Sequence, residues 1–207
     1  MKKLLALGVC GLAIALSMVA TAKEEKTERV GDPYTLNTCP VSGEKLGSMG
    51  EAPVIIQDGR EVRLCCAGCE KKYRENAEEM NAKIDEKLIA DQDAHYPATT
   101  CINSGAELKN GGVSFIAGNR LFKTCCKNCQ AKVEADPASF MAKLDQQVIE
   151  AQKADYKLTA CPVSGEALGD SPAEVVVANR LVKLCCNGCK KGVDKDPIGL
   201  LGKVDAQ

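Results

Sequence analysis

LCCAGC, residues 64–69, packs three cysteines into six positions, and the arrangement returns as TCCKNC at 124–129 and LCCNGC at 184–189. Working outward from these clusters, a unit of about 60 residues repeats three times. Each copy opens on a lone cysteine, in TCPVSGEKLG (38–47), TCINSGAELK (100–109) and ACPVSGEALG (160–169). An apolar run follows, Val54-Ile55-Ile56, Phe115-Ile116 or Val175-Val176-Val177, and then a turn pair, Asp58-Gly59, Gly118-Asn119 or Ala178-Asn179. A second alternating run, EVRL, LFKT or LVKL, leads straight into the cluster. Two β-rich runs around such a pair predict a hairpin, so the cysteines stand where a strand ends.

Beyond each cluster the apolar period changes. Tyr73, Met80 and Ile84 match Val133, Phe140 and Leu144, then Val193, Leu200 and Val204, at spacings of seven and four that share one helical face. Asp136-Pro137 and Asp196-Pro197 are expected to break this helix, because proline disfavours helical geometry in the residue before it and suits a first turn. The first copy has Asn76-Ala77 there and is read as unbroken. In copies one and two the second helix runs on through Leu88-Ile89 or Val148-Ile149 toward Tyr96 or Tyr156, as a connector between units. The fold class is therefore α+β: three tandem units, each a hairpin, a cysteine cluster and a helix. The expected boundaries are 35–97, 98–157 and 158–207, preceded by an N-terminal tail at 23–34.

Residues 1–22 read as a secretory signal peptide: Lys2 and Lys3, an uncharged run from Leu4, and a small-residue cleavage site at Ala20-Thr21-Ala22. A lipobox at Leu7-Gly8-Val9-Cys10 fits less well because Val9 is bulky, and an uncleaved anchor over Leu4–Ala22 is a further alternative. No later segment is apolar enough to cross a bilayer, so no membrane association is expected after cleavage, and the compartment is periplasmic or extracellular. Cleavage also removes Cys10, leaving twelve cysteines, four to a unit, and 25 basic against 28 acidic residues. A formal charge of −3 gives no basic face for nucleic acid.

A cysteine-dense exported chain is disulfide-bonded or metal-binding. Each copy offers one loop cysteine, a gap of 25 or 23 residues, then C-C-x-x-C, and folding the hairpin brings the two ends together. The candidate ligand sets are Cys39, Cys65, Cys66 and Cys69; Cys101, Cys125, Cys126 and Cys129; Cys161, Cys185, Cys186 and Cys189. Four soft ligands from two segments suit tetrahedral Zn2+ or a lower-coordinate Cu+, one ion per repeat. Recurrent cations, Arg60, Arg120 and Arg180 five residues before each cluster and Arg63, Lys123 and Lys183 two before, are placed to offset thiolate charge or to serve the scaffold. Disulfides are the rival, although adjacent cysteines do not readily bond to each other and three thiols in five residues make a poor staple. Thiol redox catalysis at Cys66-Ala67-Gly68-Cys69 is a third reading, against which Cys65 would crowd the nucleophile. With seven aromatic residues across three small cores, a metal worth about 10 to 16 kcal/mol could decide whether a unit folds, so the alternative to a metal carrier is a structural-zinc or disulfide-stapled protein-interaction module.

CPVSG (39–43), the hairpin, and LCCAGC with its Tyr-to-Met helix spacing resemble the TRASH and YHS-type heavy-metal-binding superfamily, a likeness repeated at 101–144 and 161–204. The resemblance implies treble-clef-like units that bind zinc, copper or another heavy metal in trafficking, sensing, buffering or resistance. A metal transporter or another exported protein is the expected partner. It also places ligands at Cys39, Cys65 and Cys69 and their counterparts. Where many relatives carry a second cysteine in the opening turn, this chain has Ser42, Ser104 and Ser164, and the adjacent Cys66, Cys126 and Cys186 either replace that ligand or stay free. Copy two also has Ile102-Asn103 for Pro-Val.

His95, the only histidine, reads as a surface residue or an accessory ligand. Asp85, Asp145 and Asp205 end the helix stripe and read as solvated ends or caps. With no serine, histidine and acid set, no phosphate loop and no supported carboxylate pair, the chain is read as non-enzymatic.

Overall fold

A computed structural model of the protein describes residues 28–206, so the expected signal segment, its cleavage site and Cys10 lie outside the described residues. Each unit starts with a tight knuckle closed by an isolated bridge, Thr38 to Lys45, Thr100 to Glu107 or Ala160 to Ala167. Inside the first, the Cys39 N–H donates to the Glu44 carbonyl at 2.8 Å and the Gly43 N–H to the Cys39 carbonyl at 2.9 Å. Gly43, Gly105 and Gly165 hold φ of 77°, 72° and 78°, a left-handed turn that a glycine adopts freely.

The hairpins form as expected: β1 (Val54–Gln57) with β2 (Arg60–Arg63), β3 (Val113–Ala117) with β4 (Arg120–Thr124), and β5 (Ala173–Val177) with β6 (Arg180–Leu184). Each pair is antiparallel and closed by a two-residue turn, with Gln57 opposite Arg60, Ala117 opposite Arg120 and Val177 opposite Arg180. Both turn residues have positive φ in all three, the signature of a turn whose twist matches the strands.

Two helices follow each cluster: α1 (Gly68–Glu75) and α2 (Ala77–Gln92), α3 (Lys127–Ala135) and α4 (Pro137–Gln152), α5 (Lys190–Lys195) and α6 (Pro197–Asp205). Asp136 and Asp196 cap α4 and α6, accepting from the N–H groups of Ser139 and Gly199. The first unit departs from the expected unbroken helix. Asn76 leaves helical geometry at φ −129°, ψ 32°, and its side-chain amide donates to the Lys72 carbonyl at 3.0 Å. An asparagine amide that satisfies a C-terminal carbonyl competes with the helical backbone, so the break needs no proline.

The predicted stripe is core: Tyr73, Met80, Ile84, Val133, Leu144, Val193, Leu200 and Val204 are all buried. Phe140 is the exception, half-buried while its neighbour Met141 takes the interior. The cores are shared rather than private. Ile116 of the second hairpin packs on the first core, and Val176 and Leu181 of the third hairpin belong to the second.

Polar side chains carry the same connection. Gln92, at the end of α2 and fully buried, accepts from the Leu121 N–H at 2.9 Å and donates to the Asn119 carbonyl at 2.9 Å. Gln152, at the end of α4, repeats this with Leu181 and Asn179 at 2.7 and 2.8 Å. The turn amides also stack the hairpins, Asn119 donating to the Glu61 carbonyl and Asn179 to the Leu121 carbonyl. The third unit then returns to the first. Arg180 pairs with Asp91 at 3.0 Å, and Arg29 bridges Glu61 and Asp194 at 2.7 and 2.6 Å. The units thus close into a ring.

Residues 29–34, part of the expected tail, lie at the centre of that ring. The Val30 N–H donates to the Gly59 carbonyl, the Asp32 N–H to the Gly118 carbonyl, and Asp32 and Tyr34 are buried. The backbones approach so closely that a β-carbon on Gly31 would sit 2.3 Å from the Gly118 carbonyl oxygen, and one on Gly118 2.3 Å from that of Val30. Among the described residues no helix is long and apolar enough to cross a membrane.

Candidate metal centre

The knuckle ends one chain segment and β2 ends another, so the lone cysteine and the cluster meet at the head of the first helix. In each unit three sulfurs lie within 4.8 Å of one another: Cys39, Cys65 and Cys69; Cys101, Cys125 and Cys129; Cys161, Cys185 and Cys189. The twelve described cysteines are free thiols. Cys65 Sγ and Cys69 Sγ are 3.6 Å apart, Cys125 and Cys129 also 3.6 Å, and Cys185 and Cys189 3.5 Å. A thiolate shell with metal–sulfur bonds of about 2.3 Å requires sulfur separations of about 3.8 Å, whereas a disulfide requires about 2.05 Å. The spacing excludes a disulfide and can accommodate a ligand shell.

The adjacent cysteine stands outside each close trio but beside it. Cys66 Sγ is 3.9 Å from Cys65 Sγ and 3.8 Å from Cys69 Sγ, and Cys186 is 3.9 and 4.0 Å from Cys185 and Cys189. Cys126 is 3.8 Å from Cys125. Burial separates the roles further. Cys39, Cys101 and Cys161 are each 1% exposed, Cys66 is half-buried, and Cys126 and Cys186 are exposed.

Hydrogen-bond donors set the charge state of the lone thiol. Burial works against a thiolate at Cys39, but the N–H of Cys65, the hydroxyl and N–H of Ser42 and the N–H of Val41 outweigh it and bring the pKa down to about 7. Equivalent donors around Cys101, from Ser104, Cys125 and Asn103, and around Cys161, from Ser164, Cys185 and Val163, bring both down to about 6 against the same burial. Neighbouring sulfurs then resist further ionisation. Cys69 is pushed up to about 12 by burial and by the thiols of Cys65, Cys66 and Cys39. Cys185 rises to about 12 although the Ser164 hydroxyl favours its thiolate, because Cys189, burial, the Glu166 carboxylate and Cys161 prevail. A ready thiolate thus stands beside thiols such as Cys69 and Cys185 that hold their protons, and an entering cation must displace those protons.

The serines of the three knuckles form part of the trio's edge. Ser42, Ser104 and Ser164 place Oγ 3.3, 3.5 and 3.4 Å from the sulfurs of Cys65, Cys125 and Cys185. The units also differ: the Asn103 amide donates to Cys129 Sγ at 3.2 Å, and Cys185 donates to the Glu166 carboxylate at 3.4 Å. Recurrence of serine two residues before an acidic or small residue was visible in the sequence, but not its contact with sulfur.

Of the two roles open to the recurrent cations, the structure shows the scaffold one. Arg60, Arg120 and Arg180 pair with Asp85, Asp145 and Asp205 at 2.6, 2.7 and 2.7 Å, tying each hairpin turn to the second helix of its own unit. Those aspartates are therefore ion-pair partners rather than solvated caps. Arg63 donates to Glu61 and to the Asp194 and Lys195 carbonyls, while Lys123 and Lys183 lie over the rings of Tyr96 and Tyr156 at 5.2 and 4.9 Å. His95 is half-buried near Arg180, Asp205 and Asp91, and joins none of the three metal-capable groups among the described residues.

Compared with family models, curated proteins and solved structures, the chain finds no match in any of the three. Its chemistry rests on the geometry of the cysteines.

Proposed function

We propose that this chain is an exported, non-enzymatic carrier of a soft metal ion, Cu+ or Zn2+, with one thiolate site in each unit and a role in buffering, trafficking or resistance. A single observation carries the reading: in all three units, sulfurs from two chain segments converge to within 4.8 Å, the first and last sulfurs of each cluster standing 3.5 to 3.6 Å apart. Three convergent thiols with a fourth set aside suit trigonal Cu+. Tetrahedral Zn2+ is the second reading, favoured by the 3.9 and 3.8 Å distances of Cys66 from Cys65 and Cys69. The resemblance to TRASH and YHS-type domains supports the same class, and the N-terminal leader pattern supports export. A metal transporter or another exported protein would supply or receive the ion.

The test is native mass spectrometry of the reduced chain titrated with Cu+ or Zn2+. Three ions are expected, and Cys39→Ser, Cys101→Ser and Cys161→Ser should each remove one. A freshly isolated protein with no metal and no reactive thiols in denaturant would favour disulfides and end the proposal.

A further inference from the structure

The doubled cysteine leaves one sulfur per unit unexplained by the close trio. Cys65, Cys66 and Cys69 form a triangle with edges of 3.9, 3.6 and 3.8 Å. Cys39, Cys65 and Cys69 form another. The two share the edge from Cys65 to Cys69. The third unit repeats the outer triangle with edges of 3.9, 3.5 and 4.0 Å. The far corners differ in access. The inner corner is a cysteine 1% exposed in every copy, while the outer corner is half-buried at Cys66 and exposed at Cys126 and Cys186. An ion approaching from solvent meets the outer triangle first.

We propose that Cys66, Cys126 and Cys186 are exchange ligands: they take the ion from an incoming thiolate or chelator and pass it across the shared edge into the inner trio. The proposal rests on the metal-binding reading above and assigns a role within that site. On entry, bonds from the outer cysteine and from the two cysteines of the shared edge form as the donor's bonds break, and each thiol that becomes a ligand gives its proton to water or to the departing thiolate. The bond to the lone cysteine then replaces the bond to the outer one, which regains a proton. No electron is transferred. The resting site is three-coordinate, so removing the outer sulfur changes rates in both directions and leaves the equilibrium nearly untouched.

The experiment uses the full chain loaded with Cu+, with release followed by a chromophoric Cu+ chelator and, separately, by glutathione. The variants are Cys186→Ser and Cys186→Ala, in addition to the triple change at Cys66, Cys126 and Cys186. Exchange from the altered units should slow by about tenfold or more while Kd stays within about threefold. A Kd weakened by about a hundredfold would make the outer sulfur a permanent fourth ligand and overturn the proposal. Exchange slowed less than this, or a Cys186–Cys189 disulfide in the isolated chain, would overturn it equally. Slowing with glutathione alone points to thiolate donors, and slowing with both probes to any chelating donor; either supports the exchange role. Failure of the unaltered chain to bind either Cu+ or Zn2+ overturns the metal reading and this proposal together, whereas failure with Cu+ alone, or binding with unaltered exchange, overturns only this one.

Discussion

Asp32 shows how much one side chain can hold. Its carboxylate accepts from Arg120 at 2.6 and 2.8 Å and from the Ala178 N–H at 2.7 Å, so it joins the second and third hairpin turns. Ala178 sits at φ 48°, where an alanine is strained, and full burial with this hydrogen bond is what over-determines it. Asp32→Ala would leave the buried Arg120 guanidinium with only Asp145 and the Val176 carbonyl, and a loss of about 3 kcal/mol is expected in urea unfolding. A loss under about 1 kcal/mol would contradict the pivot role. His95 titrates in the same neighbourhood. Burial and then the Arg180 charge hold its imidazole below the usual value, against the pull of Asp205 and Asp91. The unfolded chain therefore binds this proton more readily than the folded one. That contribution is fully present above the unfolded pKa of about 6.5 and is lost progressively as pH falls from there through the lower folded pKa. Between pH 7 and pH 5.5 the Tm of the native sequence should fall further than that of His95→Gln; equal falls would refute the assignment.

At the scale of elements, the connector helices act through their last turn. Gln92 and Gln152 mimic a backbone segment, each offering a carbonyl and an amide to the next hairpin turn. Replacing Gln152 with leucine would leave the Leu181 N–H and the Asn179 carbonyl unpaired in the interior, at a cost of about 2 to 4 kcal/mol. Glu at the same position restores only the acceptor and should recover part of the loss, as a thermal melt of the three proteins would show. The first hairpin turn is met by the Val30 N–H, which bonds the Gly59 carbonyl. The knuckles are simpler, because a left-handed glycine and one bridge suffice to aim a buried cysteine at the cluster.

On the scale of the whole molecule, shared cores and the closed ring make the three sites parts of one cooperative body. Ile116, Val176 and Leu181 each complete a neighbour's core, and Arg29, Arg63 and Arg180 tie the third unit back to the first. Chelating the metal from a single unit should therefore lower one common unfolding transition rather than create a separate one. Calorimetry of the Cys161→Ser protein loaded with metal is the check: a single peak at reduced Tm is expected, and two resolved peaks would show independent units.

The sequence by itself determined the repeat, the hairpins, the helix stripe and the identity of the cysteines, because spacing, turn residues and period are local properties of a chain. Its reading of Arg60, Arg120 and Arg180 left open whether they serve the thiolates or the scaffold, and it took Asp85, Asp145 and Asp205 for solvated ends. The helix break at Asn76 escaped it because no proline marks the place. The trio of Cys39, Cys65 and Cys69 was already implied by the resemblance; only the tertiary structure decided that its sulfurs converge within 4.8 Å, that the serines touch them, and that residues 29–34 fill the centre of a ring. Those outcomes depend on contacts between segments about 20 to 150 residues apart, and their formation is set by packing and by the pairing of buried polar groups, which no local pattern records.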